Sequence, residues 1–341
     1  MKLTTKIAAL AAVSCLVLAG CGSNGSGDST PAGTGSSAGY KITLLPKNLG
    51  NPYFDASNDG AKEAVTSFSG TLNYTGPATE GTPDSQVQFV NTAVQTQQNA
   101  IIISLNDPTA VCGALNEAMA AGVKVVTFDS DAPSCRNLFV NQVEGEGIAQ
   151  TLVDMIAEQI GDSGEVAWLS ATANATNQNT WMEAANAIFA KDHPNIKIVD
   201  TVYGDDQDQA SFDKTAALLA SHPNLKGIIA PTTVGIAAAA RYLSDSEYKG
   251  KVALTGLGTP SGMKAFVDDG TVTEFALWNP VDLGYLSAFA AKALIDGDIT
   301  GAQGDTFTAG RLGNYTVGAN ATVLLGDPYK FNKGNIGNFG F

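Results

Sequence analysis

Residues 165–202, EVAWLSATANATNQNTWMEAANAIFAKDHPNIKIVDTV, decide the fold. The apolar run at 165–170 predicts a strand, the amphipathic pattern at 180–191 a helix, and the apolar run at 196–202 a second strand. Near-continuous apolar strands flanking a helix describe a parallel β-α-β unit whose sheet is covered on both faces. The same alternation extends in both directions. Further strands are predicted at 41–46, 71–75, 100–105, 123–128, 138–140, 227–230, 251–256 and 272–277. Further helices are predicted at 54–69, 83–97, 109–121, 145–160, 209–221, 234–245, 261–269 and 281–296. The expected class is α/β with parallel sheets, and 341 residues exceed one ordinary core, so two domains are expected. KDHPNIKIVD (191–200) and SHPNLKGIIA (221–230) repeat one pattern of helix end, His-Pro-Asn turn and strand, a hint of duplication. They place both histidines, His193 and His222, in helix-ending loops, where such side chains suit the last carbonyls.

The formal net charge of −14 disfavours nucleic acid or anionic lipid as a partner, since both require a basic surface. No DNA-reading helix pair precedes Tyr40. At the N-terminus, MKLTTKIAALAAVSCLVLAGC (1–21) has a basic start, an apolar run too short to span a bilayer, and small residues before Cys21. It resembles a bacterial lipoprotein signal, in which Cys21 is lipidated and becomes the mature N-terminus. Residues 22–39, GSNGSGDSTPAGTGSSAG, have too little apolar area to fold and read as a flexible tether about 20–25 Å in reach. With Cys15 in the signal and Cys21 at the lipid site, Cys112 and Cys135 remain for a disulfide in an oxidising compartment. No histidine accompanies them, which disfavours a metal pair; no metal or cofactor is expected.

Ligands of open parallel sheets sit beyond the carboxyl ends of the strands. Those positions hold Lys47, Asn48, Asn51 and Phe54 after the first strand, Asn106 and Asp107 after 100–105, and Asp129 and Asp131 after 123–128. They also hold Asn177 and Gln178 after 165–170, Pro231, Thr232 and Thr233 after 227–230, and Trp278 and Asn279 after 272–277. Each residue alone is as well explained by helix capping, Thr180 or Asn179 for the helix with Trp181 and Asp107 or Thr109 for the helix at 109–121. Together, carboxylates, carboxamides, a lysine and aromatic rings suit a neutral polyol: hydroxyls donate and accept, and an aromatic face covers the C–H side of a sugar ring. Trp181 either walls that site or anchors its helix. Enzyme readings lack a motif: there is no G-x-S-x-G, H-E-x-x-H or P-loop, and no G-x-G-x-x-G after the first strand. Asp129 and Asp131, two residues apart in a loop, fit one ligand better than a glycosidase pair across a scissile bond. No catalytic residue is assigned.

KITLLPKNLGNPYFDASNDGAKEA (41–64), VVTFDSDAP (125–133) and GTVTEFALWNPVDLGYL (270–286), with the lipoprotein signal and tether, resemble the type 1 periplasmic sugar-binding proteins of ABC importers. The likeness covers the chain after residue 40 and is greatest to the rhamnose-binding and autoinducer-2-binding branch, which shares the PK, DSD and NQ-x-x-W motifs. It implies two similar Rossmann-like lobes, 40–141 with 278–305 and 142–277 with 306–341, joined by a three-stranded hinge. It further implies that Lys47, Phe54, Asp129, Asp131, Asn177, Gln178, Pro231, Thr233 and Trp278 meet a monosaccharide in the cleft. A monomer is expected, lipid-anchored to the outer face of the cell membrane and delivering sugar to a membrane permease. Autoinducer-2 receptors have aspartate where this chain has Asn177 and alanine where it has Thr233, and ribose and galactose binders have aspartate where it has Gly258. Rhamnose therefore fits NQNTW, PTTVG and WNPVDLGYL best. The alternatives are a receptor of autoinducer-2 or another sugar that feeds a signalling partner, and an exported sugar-modifying enzyme.

Overall fold

The computed structural model describes residues 39–79 and 82–341; the signal, Cys21 and most of the tether lie outside them. Residues 39–341 form one compact unit built on a six-stranded and a four-stranded sheet, with two further two-stranded sheets. The first half of the chain runs β1 (Lys41–Leu45), α1 (Pro52–Ser67), β2 (Thr71–Tyr74), α2 (Val87–Gln95), β3 (Ala100–Ile103), α3 (Pro108–Ala120), β4 (Lys124–Phe128) and β5 (Leu138–Asn141). The second runs α4 (Gly145–Ile160), β6 (Gly164–Ser170), α5 (Thr176–Asp192), β7 (Ile196–Tyr203), α6 (Asp208–Ser221), β8 (Leu225–Ala230), α7 (Thr233–Ser244), β9 (Ala253–Gly256), α8 (Pro260–Asp268) and β10 (Glu274–Leu277). Then come α9 (Pro280–Asp296) and four short strands, β11 (Thr306–Thr308), β12 (Asn314–Thr316), β13 (Thr322–Leu324) and β14 (Tyr329–Asn332).

The lobe-one sheet has the order β13-β5-β4-β3-β1-β2 and the lobe-two sheet β7-β6-β8-β9, all pairs parallel. The two-stranded sheets are β10-β14 and β11-β12. Strand periodicity explains how lobe one fills both faces. Ile42, Leu44, Ile102 and Val126 join the core containing Ala61, Ala64 and Val65 of α1 and Leu283 and Leu286 of α9. The alternate residues Leu45, Ile101, Ile103 and Val125 pack with Val90 of α2 and Val111 and Leu115 of α3. Helices α1 and α9 cross so closely that a Cβ on Gly60 would lie 1.8 Å from the Val281 carbonyl oxygen, and one on Gly284 1.8 Å from that of Ser57. This crossing fixes α9, and with it Trp278, against lobe one. Four helices share one start signal, a capping side chain followed by proline: Asn51-Pro52, Asp107-Pro108, Thr259-Pro260 and Asn279-Pro280. Cys112 of α3 is bonded to Cys135 in the β4–β5 loop.

Three features differ from the sequence expectation. Helix α5 begins at Thr176, not 180, after Ala175, which makes no side-chain cap; Asn177 and Gln178 are thus in its first turn. Helix α2 begins at Val87 rather than 83. Residues 306–341 do not all join lobe two: β13 pairs with β5 in the lobe-one sheet, and only β14 returns, antiparallel to β10. The chain accordingly crosses between the lobes at 142–144, 278–279 and 325–328. Strands of three or four residues are too short to leave a periodic pattern, which is why no strand is predicted beyond residue 277.

Candidate functional site

A cavity of about 410 Å³ lies between the lobes at the carboxyl ends of both sheets. This figure includes the open solvent at the mouth of the cleft. From lobe one come Lys47, which ends the segment after β1, Asn51, Tyr53 and Phe54 at the start of α1, and Asp129 after β4. Lobe two supplies Ala171, Asn177, Gln178 and Trp181 around the start of α5, Asp206 after β7, Pro231, Thr232 and Thr233 at the start of α7, and Leu257. Leu277 and Trp278 close the wall at the second crossing.

The polar groups are interlocked. Ser104 Oγ donates to Asp129 Oδ1 at 2.8 Å and Asn177 Nδ2 to Asp129 Oδ2 at 3.3 Å, while Lys47 Nζ donates to Asn177 Oδ1 at 3.3 Å. Asn51 accepts the Tyr53 amide as the cap of α1, and its Nδ2 donates to Asp206 Oδ2 at 2.8 Å. Thr232 Oγ1 donates to the other oxygen of Asp206. Gln178 Oε1 accepts from Ser170 Oγ at 2.6 Å and the Ala171 amide at 2.9 Å, which leaves its NH₂ for the cavity. Burial raises the Asp129 carboxyl above its ordinary pKa, against the opposing charge of Lys47 and the hydrogen bonds it accepts. Asp206 is raised by burial as well, opposed first by its bond from Thr232 and then by Lys47.

The apolar wall is a chain of aromatic edges. Trp181 meets Trp278 with ring centroids 5.9 Å apart, Trp278 meets Tyr53 at 6.0 Å, and Tyr53 meets Phe54 at 5.1 Å. Trp278 Nε1 donates to the Tyr53 hydroxyl at 2.9 Å, and burial pushes that phenol well above its usual pKa. Charged hydrogen-bond partners, amides and flat apolar faces in one cleft suit a small uncharged molecule that carries several hydroxyls.

Of the residues that sequence pointed to, Lys47, Asn51, Phe54, Asp129, Asn177, Gln178, Trp181, Pro231, Thr232, Thr233 and Trp278 line this cavity. Asp131 and Asn279 are not brought to it. Both oxygens of Asp131 are held by Arg136, through Nε at 2.5 Å and Nη2 at 2.9 Å, and Thr127 Oγ1 adds a third bond. Asn279 caps α9 by accepting from the amides of Val281 and Asp282. Asn106 is turned to the backbone, donating to the Lys47 carbonyl, and Asp107 caps α3. The sequence reading missed Tyr53, Ala171, Asp206, Leu257 and Leu277. Asp206 carries a signal: it follows the strand predicted at 196–202, at a carboxyl end where ligand groups of parallel sheets sit.

Residues 42–299 match the model of a family described as the periplasmic binding protein domain. The chain belongs to this family. Among solved structures, a sugar ABC transporter protein from Actinomyces odontolyticus is 52% identical to this periplasmic binding protein, covering 89% of it and 98% of that chain at a TM-score of 0.72. An ABC transporter solute-binding protein from Clostridium phytofermentas, with bound L-rhamnose, is 37% identical over 88% of this chain and 98% of its own, at a TM-score of 0.85. Among curated proteins, the D-apiose import binding protein of Actinobacillus succinogenes is 26% identical over 194 residues, and the match spans 60% of that protein's length. Members of the periplasmic binding protein family are exported, and no helix among the described residues is long and apolar enough to cross a membrane.

Proposed function

We propose that this protein binds a neutral monosaccharide, L-rhamnose first among candidates, in the interlobe cavity and presents it to an ABC permease in the membrane. The carrying observation is the joint lining of one cleft by Lys47 and Asp129 of lobe one, Asn177, Gln178 and Asp206 of lobe two, and the Phe54, Trp181 and Trp278 rings. A sugar would accept from Lys47, exchange hydrogen bonds with the carboxylates and amides, and lay its C–H face on the rings. The methyl group of a deoxy sugar would find apolar surface at Leu257 and Leu277. The 37% identical relative with bound L-rhamnose supports this choice. Closure follows from differential affinity, because the sugar meets both lobes only when they are shut. Lipidation at Cys21, at the end of the signal-like segment, would hold the protein at the outer face of the membrane as a monomer.

Calorimetric titration with L-rhamnose, D-apiose, D-ribose, D-arabinose, autoinducer-2 and glycerol tests the reading. The expected result is micromolar or tighter binding of L-rhamnose, a rise in Tm with sugar, and no change in the sugar's NMR spectrum on long incubation. Absence of binding to every sugar would overturn the function, tighter binding of autoinducer-2 would move it to signalling, and conversion of the sugar would make the protein an enzyme. Release of the Cys21→Ser protein from the membrane fraction tests the anchor.

A further inference from the structure

Two carboxylates enter the cavity, one from each lobe, and their backbones share a conformation. Asp129 after β4 has φ +60°, and Asp206 after β7 has φ +50°, with Asp205 before it at +54°. Left-handed backbone outside glycine costs free energy, least for Asn and Asp, and persists where the surrounding structure demands it. Asp129 takes the Ser104 hydroxyl of its own lobe at Oδ1 and the Asn177 carboxamide of lobe two at Oδ2, and Lys47 also reaches Asn177 across the cleft, both of these cross-cleft bonds being 3.3 Å against 2.8 Å for that between Asn51 and Asp206. Asp206 divides its oxygens between lobes, Oδ1 taking the hydroxyl of Thr232 in lobe two and Oδ2 the carboxamide of Asn51 in lobe one. The charged groups that act on it are Lys47, which favours its ionised form, and Asp129, which opposes it.

We propose that Asp206 is the clasp of the closed state: Thr232 aims the carboxylate, and its bond to Asn51 holds lobe two shut against lobe one over the ligand. The inference rests on the cavity being the ligand site, and it names the bond that sets how long the ligand stays. Asn51 is suited to the receiving side because its oxygen is committed to capping α1, which fixes the amide nitrogen toward the cleft. Closing therefore makes a charge-assisted bond without first ordering either partner, and such bonds are about twice as strong as neutral ones. Asp206 becomes a positioning residue for closure whichever hydroxyls the sugar offers.

The test exchanges the partners. Asn51→Asp keeps a capping oxygen on α1, since aspartate caps as well as asparagine, but sets a second carboxylate against Asp206. The double variant Asn51→Asp with Asp206→Asn restores an amide-to-carboxylate pair in the reverse sense. Two readouts are taken on the full chain: the distance between spin labels at Lys62→Cys on α1 and Lys214→Cys on α6 without sugar, and the dissociation rate of L-rhamnose. Asn51→Asp is expected to shift the ligand-free distances toward the open form and to speed dissociation at least about 10-fold, as like charges brought together would. The double variant is expected to recover most of both effects, while Asp206→Asn alone falls between. An Asn51→Asp protein indistinguishable from the parent, or a double variant as defective as the single one, overturns the clasp. The distance readout needs no sugar, so it decides the clasp even if L-rhamnose binds no variant and the functional reading falls.

Discussion

The two walls of the cleft are built from different chemistry. Lobe one brings Lys47 and Asp129: Asp129 is bonded by Ser104 of its own lobe and by Asn177 across the cleft, and Lys47, only 3% exposed, donates to the same Asn177. Lobe two brings amides and hydroxyls at helix starts, Asn177 and Gln178 on α5 and Thr232 and Thr233 on α7, together with Asp206, whose partners lie in both lobes. Hydrogen bonds to charged groups contribute about 1.5–3 kcal/mol each and neutral ones about 0.5–1.5 kcal/mol. The proposed sugar would thus meet two charged groups on lobe one, Lys47 and Asp129, and one on lobe two, Asp206.

The largest effect should therefore fall on lobe one. Asp129→Ala removes two charged acceptor atoms and strands Lys47, and the expected loss of sugar affinity is about 1,000-fold, or about 4 kcal/mol. Gln178→Ala should cost about 10-fold, because the oxygen of Gln178 already serves Ser170 and Ala171 and only its NH₂ is free to reach a ligand. Calorimetric titration of the two variants side by side measures the contrast. Equal losses would abolish the difference between the walls.

The lobes also differ in what holds them together. Lobe one carries the Cys112–Cys135 bond, and its Arg136 clamps Asp131 while donating to the Asn320 and Ala321 carbonyls, which ties the tail to the β4–β5 loop. Replacing both cysteines by serine should lower stability by about 3 kcal/mol, as expected for a loop of this size with sequence separation 23. Arg136→Ala should cost a similar amount, about 3 kcal/mol, by leaving Asp131 without its cation. Neither change touches the cavity. Denaturant unfolding should show both losses while sugar affinity stays within about twofold, and a large fall in affinity would show that the walls and the scaffold are not separable.

Most of the lobe architecture was legible in the sequence because parallel strands are buried on both faces, and runs such as Ala100–Ile103 cannot be mistaken for solvent-facing loops. Polar cavity residues such as Lys47, Asp129, Asn177 and Gln178 are legible beyond the carboxyl ends of strands, whereas Ala171, Leu257 and Leu277 carry no polar signal. The failures have physical causes. Asn179 and Thr180 look like caps and put the predicted start of α5 four residues late, whereas the helix starts after Ala175 without a side-chain cap. Spacing points Asp131 to the ligand and does not reveal that Arg136, five residues on, folds back to take both its oxygens. Asp206 lies in GDDQDQ (204–209), where polarity conceals which carboxylate is buried, and only the fold brings Asn51, 155 residues away, against it. Strand β13, at three residues, is too short to show a period.

The smallest effect belongs to the lobe-two counterpart of the Arg136 clamp. On its surface Lys249 Nζ lies 2.9 Å from Asp269 Oδ2, and both side chains keep more than a third of their exposure. The Lys249 bond, aided by the Thr271 backbone amide, lowers the Asp269 carboxyl to about 2. An unfolded aspartate titrates near pH ~3.9, so the native state holds this proton less tightly than the unfolded chain. The stabilisation is present in full above that value and is lost as pH falls from about 4 through about 2. Water screens an exposed pair, which limits its contribution to under about 1 kcal/mol despite the size of the shift. Asp269→Asn should thus lower stability slightly at pH 7 and not at all near pH 2, against about 3 kcal/mol at pH 7 for Arg136→Ala. Unfolding midpoints of the two variants across pH 2–7 check this, and an Asp269→Asn loss as large as that of Arg136→Ala would mean that burial does not distinguish the ion pairs of the two lobes.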